Sequence, residues 1–506
     1  TDPTQPARLG SGQSGIVANF GGYGTQGYYV TKSVFSSITD ASATQAAQYL
    51  EDRWQVTKNL LVTAGLRNDS YSNSNGNGDK FIEKKTQIAP RLSASWDVNG
   101  DATLKIFGSA GRYFLQLPTR VAARAASIST LTRQDFTYTG IDPATGAPTG
   151  IKAINDALSP DGEVGQIKLP KSVVVKDLKS NYQDEITLGF ERAYSPDLNF
   201  GVKGTFRKLG AGIDDNCDTR RLYKWAVDHG IQVYGPQFMS CYIFNPGEAA
   251  DIWIDGHDAR GNPVVTGKGQ YAHFSAAELG FPKAERKYAA LDMFLEHPFR
   301  NGWYAKLNYT FGKNWGNMEG QTRSDTGQTD IATTAAWDFP EFAPYSNGVL
   351  PNDRKHQLKA YGYYEFNKEW SMGFNALIQS GRPKVCLGTD VDAENGLKDP
   401  YGAEFGGPGY GAEYFWCGGK PAPRGSLGRL PTEKRLDLSL AYNPAWLKDM
   451  TFKVDMFNVF NSQSVLAREE TYDDGSGEAV EANYGEPREL VAPRRMKFTV
   501  EYKHKF

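Results

Sequence analysis

Polar and apolar residues alternate along most of this chain, in short runs that come in pairs. In "NYQDEITLGFERAY" (181–194), Ile186, Leu188, Phe190 and Tyr194 share one side, while Gln183, Glu185, Thr187 and Glu191 share the other. A period of two is the mark of a strand with one apolar and one polar face. "SPD" turns the chain, and "LNFGVKGTFRKL" (198–209) answers with Leu198, Phe200, Val202 and Phe206 against Asn199, Lys203, Thr205 and Arg207. The same unit recurs as "RKYAALDMFLEHP" with "GWYAKLNYTFGKNW", "RKHQLKAYGYYEF" with "EWSMGFNALIQS", and "EKRLDLSLAY" with "MTFKVDMFNVF". Earlier, "AQYLEDRWQVT" pairs with "LLVTAGLRNDSY" and "TQIAPRLSASWDV" with "TLKIFGSAGRYF". Turn-forming residues between alternating runs predict hairpins. With the closing run "MKFTVEYKHKF" (496–506), thirteen strands are predicted. The clearest helical pattern, "AINDALSP" (153–160), is short and sits in a loop.

The connections alternate as strictly as the strands. One kind is a turn of a few residues; the other spans roughly 115–180, 210–284, 317–352, 381–432 and 461–492, with 72–84 modest. Loops of that length are foreign to a compact soluble domain, but short turns at one end and long loops at the other is how outer-membrane barrels are built. Mid-strand charges (Lys203, Arg207, Lys306, Asp437, Lys453, Asp455) need a wet lumen on the polar face, so the apolar face meets lipid. Trp54, Trp96, Trp303, Tyr309, Trp370, Tyr442 and Tyr502 lie toward strand ends on or near that face, as an interfacial girdle does. The expected fold is therefore all-β, a transmembrane antiparallel β-barrel. A soluble sandwich would account for the alternation, but for neither the loop asymmetry nor an apolar strand at the terminus.

Composition narrows the function. The 506 residues carry 56 Lys plus Arg against 58 Asp plus Glu, so the chain has no basic footprint and no nucleic-acid partner is expected. A mean hydropathy of −0.52 fits spans made of alternating strands. The four cysteines fall as Cys217/Cys241 and Cys386/Cys417, each pair within one loop, and local disulfides would place them in an oxidising compartment. No His-x-x-x-His, Cys-x-x-Cys or nucleophile elbow occurs, so no enzymatic activity is expected and no cofactor is implied. "GYGTQG" (22–27) fits a dinucleotide fingerprint by letters but lacks the flanking strand and helix, and reads as a Gly-rich loop. Asp251, Asp255 and Asp258 could hold a loop-bound calcium, although a solvated acidic loop is the simpler reading. The long loops carry Tyr223, Trp225, Tyr234, Trp253, Trp337, Tyr345, Tyr410, Tyr414 and Trp416. Of these, Tyr223, Trp225, Trp253, Tyr345, Tyr410 and Trp416 are the candidate ligand-binding aromatics, with loop packing as the competing role.

The stretches "QYLEDRWQVTKNLLVTAGLRNDSY", "IAPRLSASWDVNGD", "NYQDEITLGFERAYSPDLNFGVKGTFRKLG", "PNDRKHQLKAYGYYEF", "SGRP" and "VDMFNVFN" and the closing strand, in this order over residues 45–506, resemble the TonB-dependent outer-membrane receptors, in particular their Oar-like branch. The resemblance implies a 22-stranded barrel plugged by an N-terminal domain, of which residues 45–506 would be the last thirteen or so strands. Residues 1–44 would be an extracellular loop with a possible preceding strand, and the plug and first strands would lie outside this chain. The final strand would then pair with the first strand of the complete barrel. The resemblance further implies a periplasmic C-terminus, periplasmic short turns and extracellular long loops. Partners would be outer-membrane lipid, TonB through the plug, and the barrel-assembly machinery, which would read Phe498, Tyr502 and Phe506; His504 departs from the usual aromatic or aliphatic residue. The expected function is uptake of an unidentified small ligand or oligomer. The alternatives are a surface protein that binds a partner, polymer or secreted cargo through its loops and, less in keeping with a plugged barrel, a passive porin.

Overall fold

The computed structural model describes residues 29–503 apart from 158, 160–163, 166, 168, 234–240, 258–262, 265–268, 333, 400–405 and 448. Among the described residues thirteen strands form one antiparallel wall, to which the short strands Lys80–Lys84 and Gly348–Val349 add at the loop end. The thirteen include β1 (Ala41–Thr57), β2 (Leu60–Asn75), β3 (Ile88–Asp97), β4 (Leu104–Leu115), β5 (Asn181–Ser195), β6 (Leu198–Ala211) and β7 (Arg286–Arg300). The rest are β8 (Trp303–Gly316), β9 (His356–Glu365), β10 (Trp370–Gln379), β11 (Glu433–Tyr442), β12 (Met450–Phe457) and β13 (Arg495–Tyr502). Each pairs with its neighbours in sequence, from β1 at one edge to β13 at the other. Among the described residues the two edge strands do not pair with each other, so the wall is open and each keeps one row of backbone groups without a strand partner.

Alternation fixes the two faces. Register sets Leu50 against Leu66, Ile186 against Phe206 and Leu188 against Gly204, all on the outer face. Leu50 and Leu188 are 78% and 66% exposed there, a band of apolar surface that water would reject and lipid accepts. The inner face is polar and knitted across strands. Lys105 meets Glu191 at 2.6 Å, Lys203 meets Asp292 at 3.5 Å and Lys306 meets Glu296 at 3.4 Å. Opposite charges at paired positions let these groups line a polar interior without repulsion.

At the turn end, the links are short. Asn301 and Gly302 join β7 to β8 with φ of 53° and 81°, the left-handed pair that an Asn-Gly turn supplies and that matches the twist of the flanking strands. Aromatic side chains gather at this end of the outer face. Trp54 sits opposite Val62, Trp96 opposite Leu60, Trp303 opposite Tyr364 and Trp370 opposite Tyr442, the last two stacked at 4.4 Å.

The other end carries the loops 76–87, 116–180, 212–285, 317–355, 380–432 and 458–494. They form a cap, in which the first four pack around one buried cluster and 380–432 supplies most of two smaller ones. The members of the large cluster include Phe81, Leu117, Leu178, Tyr242, Phe244, Phe281 and Trp337, drawn from four loops. A separate sheet flanks the cap: the strand Val30–Thr39, continuing from β1, pairs residue for residue with Ser127–Thr137. The segment 1–44, expected to be an extracellular loop with a possible preceding strand, thus supplies a strand to the loop region over its described part. The helix expected at 153–160 does not form over the described residues, where Lys152–Ala153 is instead a short strand on Ser127–Thr137. The Asn155 side chain explains this. It donates to the Asp135 carboxylate at 2.8 Å and accepts from the Asp135 amide at 2.9 Å, so it competes with helical bonding.

Candidate functional site at the loop end of the lumen

Two loops are braced covalently, by Cys217–Cys241 and Cys386–Cys417, the local pairing expected. Buried ion pairs then tie the loops to one another. Asp325, in the loop 317–355, receives Arg424 at 2.8 Å, Arg323 at 3.5 Å and Arg382 at 3.8 Å. Arg323 also reaches Glu413 at 2.8 Å, and Arg382 reaches Glu470 at 2.7 Å. Arg220 does the same for the loop 212–285, meeting Asp218 and Glu341 at 2.7 Å and Asp399 at 3.6 Å. Burial pulls the Arg220 guanidinium down, but its bonds to Asp218 and Glu341 outweigh this and hold it above its ordinary value. Guanidinium forks suit such sites because they donate several bonds in fixed directions.

Glu470 responds to pH. Burial, ahead of the opposing attraction of Arg382, pushes its carboxyl up to about 7 from an ordinary 4.5. A carboxyl that titrates higher folded than unfolded adds stability as pH falls from the first value toward the second, because the folded state takes up the proton first. Asp214, buried beside Asp215, is pushed the same way. We expect the cap to gain on the order of 2–3 kcal/mol from Glu470 between pH 8 and pH 5. Near-UV circular dichroism during urea unfolding will read this as a midpoint that rises on acidification and flattens in E470Q. A midpoint that falls equally in both proteins would contradict it.

The six candidate aromatics fall into two groups. Tyr223 and Trp225 lie on the helix Arg220–Asp228 and pack partly buried against the main cap cluster. Trp253 has the Lys171 ammonium 3.1 Å from its ring centroid and Tyr271 edge-on at 5.2 Å. Near the second disulfide, Tyr410 sits 5.3 Å from Phe339 and 5.6 Å from Phe342, and Tyr345 lies 6.5 Å from Trp416. Tyr345 and Tyr410 stay 47% and 41% exposed, whereas Trp337 and Tyr414 are buried as packing residues. Tyr234 lies outside the described residues. The acidic candidates do not converge: Asp251 is bonded to His273 at 2.7 Å, and Asp255 accepts from the Gly256 amide at 2.9 Å. Asp258 lies outside the described residues, as do His504 and Phe506. Phe498 and Tyr502 point outward from β13, 73% and 63% exposed.

Sequence reading missed the polar recess below the cap. About 390 Å³ in volume, it is lined by Gln183, Arg207, Leu209, Arg286, Tyr288, Thr310, Gly312, Asn314, Asn352, Asp353, Arg354 and Gln357. Strands β5 to β9 supply the inner-face residues at their loop ends, and residues 352–354 close the recess from above. Arg207 pairs with Glu185, and Asp353 pairs with Arg429. Arg286 donates to the Glu319 carbonyl at 2.7 Å, and Arg354 to the Asp353 and Pro351 carbonyls at 3.3 and 3.4 Å. Burial and the nearby guanidiniums of Arg382 and Arg429 draw Arg354 below its ordinary value, with Glu433 and Asp353 opposing. Asn314 is buried, with Nδ2 on Asn352 at 2.5 Å, and its Oδ1 meets no partner among the described residues. The signal in the sequence is weak: Arg207, Arg286 and Arg354 lie far apart and only the strand register gathers them.

Comparison with known proteins places this arrangement. Residues 7–160 match the family model described as TonB dependent receptor-like, beta-barrel. The TonB-dependent transporter Oar of Myxococcus xanthus is 25% identical over 462 residues, which is 87% of this chain and 37% of Oar. Among solved structures, the outer membrane transporter YddB from Escherichia coli is 12% identical, with a TM-score of 0.49, and the match covers 94% of this chain and 50% of that one. The siderophore receptor PiuA from Acinetobacter baumannii is 10% identical at a TM-score of 0.47, covering 92% and 44%. The chain thus spans little more than a third of the length of Oar. By the family model over residues 7–160 and the alignment with Oar, this chain, with its ordered antiparallel wall, is similar to the β-barrel of TonB-dependent receptors.

Proposed function

We propose that this chain forms the lumen wall and extracellular cap of a TonB-dependent receptor that captures a ligand at the loop end and admits it through the barrel. The observation that carries the reading is the division of the wall, with tight turns at one end and a braced cap over a polar lumen at the other. The turn end faces the periplasm and the cap faces outward, because long loops belong outside in this architecture. The open edges of β1 and β13 are closed by further strands of the same polypeptide, which also carries the plug and the TonB contact. The exposed apolar edge supports this, since lipid would not tolerate its unpaired backbone groups.

The test compares cells that make the natural polypeptide, cells lacking it and cells lacking TonB, with spent medium profiled by mass spectrometry. A compound removed only by the first is the expected result. If no compound shows this double dependence and a polypeptide stays bound to the purified protein, the protein is a surface-interaction barrel instead.

A further inference from the structure

The recess beneath the cap has the chemistry of an oxyanion site. Arg286 and Arg354 line it from the wall and from the loop 317–355, and among the described residues neither makes an ion pair with a carboxylate. Their neighbours are already matched. Arg207 is taken by Glu185 and Asp353 by Arg429, so the carboxylate that lines the recess is neutralised. The remaining polar groups are amides and hydroxyls: Gln183, Gln357, Asn314, Asn352, Thr310 and Tyr288. Gln183 Oε1 lies 3.4 Å from Arg286 Nη2, a long contact that a better acceptor would displace. Two guanidiniums held by carbonyls keep most of their donors and all of their charge. A partly buried surplus of positive charge selects for anions, and the planar fork selects for carboxylate and phosphate oxygens over spherical ions.

We propose that Arg286 and Arg354 form a subsite for an oxyanion group of the cargo, a carboxylate or a phosphate. This deepens the uptake reading and rests on it. The cavity holds roughly the volume of a small polyacid, so the anionic end of the cargo enters the recess while the rest lies beneath the cap. The aromatics Tyr345 and Tyr410, exposed on the cap, are outside this subsite.

Citrate and inorganic phosphate, titrated separately into the detergent-purified natural polypeptide by calorimetry, test the assignment. At least one of them will bind, and R286Q/R354Q will weaken that binding about tenfold or more. R286K/R354K, which keeps the charge and loses the fork, will fall between. K368Q, in the tight turn at the far end, will match the wild type. Intact near-UV spectra separate lost binding from misfolding. Binding of neither anion to the wild type, or equal binding by the folded double variant, overturns the proposal. The measurement needs no TonB, so its failure would leave the uptake reading to its own test, and a failure of uptake would leave the subsite standing.

Discussion

Replacing Asp325 with alanine will loosen the cap by about 3–5 kcal/mol while leaving the wall assembled. The carboxylate is 1% exposed and holds Arg424, Arg323 and Arg382 together. Its loss leaves three buried cations crowded around a void, with Ser346 O still accepting from Arg424, Glu413 from Arg323 and Glu470 from Arg382. The cost comes less from the lost attraction than from positive charges left facing one another out of water. D325N, which keeps the shape and the oxygen, will cost less. Urea unfolding read by near-UV signal, set beside heat-modifiable gel mobility of the barrel, separates cap from wall. A D325A cap within about 0.5 kcal/mol of the wild type would mean that the web is ornamental to stability.

The second large effect concerns the outer face. Leu188→Arg will impair barrel insertion and cost about 2–4 kcal/mol in refolding into lipid vesicles, because Leu188 is mid-strand and points outward. Thr187→Arg, one residue away, points into the lumen beside Ser109, and will be tolerated within about 1 kcal/mol apart from local crowding. A one-residue step thus reverses the environment. If the two variants refold equally well, the assignment of faces is wrong. If the order is inverted, lipid lies on the polar side and the whole reading fails.

The wall was legible because alternation is a local signal. Each of the thirteen expected strands is present, and the long and short links fall where the turn residues place them. Ser127–Thr137 escaped notice because it sits inside a long loop and its partner, Val30–Thr39, is about a hundred residues away. The disulfides were readable from proximity in sequence. The ion web was not, since Asp325 and Arg424 are separated by ninety-nine positions and nothing in the spacing of arginines names their partners. The aromatics were half legible. Their abundance marked loops that bury surface, but whether a given ring packs, as Trp337 does, or stays exposed, as Tyr345 does, depends on tertiary neighbours.

The ring of Trp54, Trp96, Trp303, Trp370 and Tyr442 has a consequence for how the protein sits. Indole and phenol side chains settle at the depth where hydrocarbon gives way to headgroups, and here they gather at the turn end. That end is moored. A bilayer thicker or thinner than the apolar band must therefore make its adjustment at the opposite rim, where the wall runs up into the cap. The height of the cap above the lipid is then set by membrane thickness, and the protein presents the same cap at a different elevation in each membrane it enters.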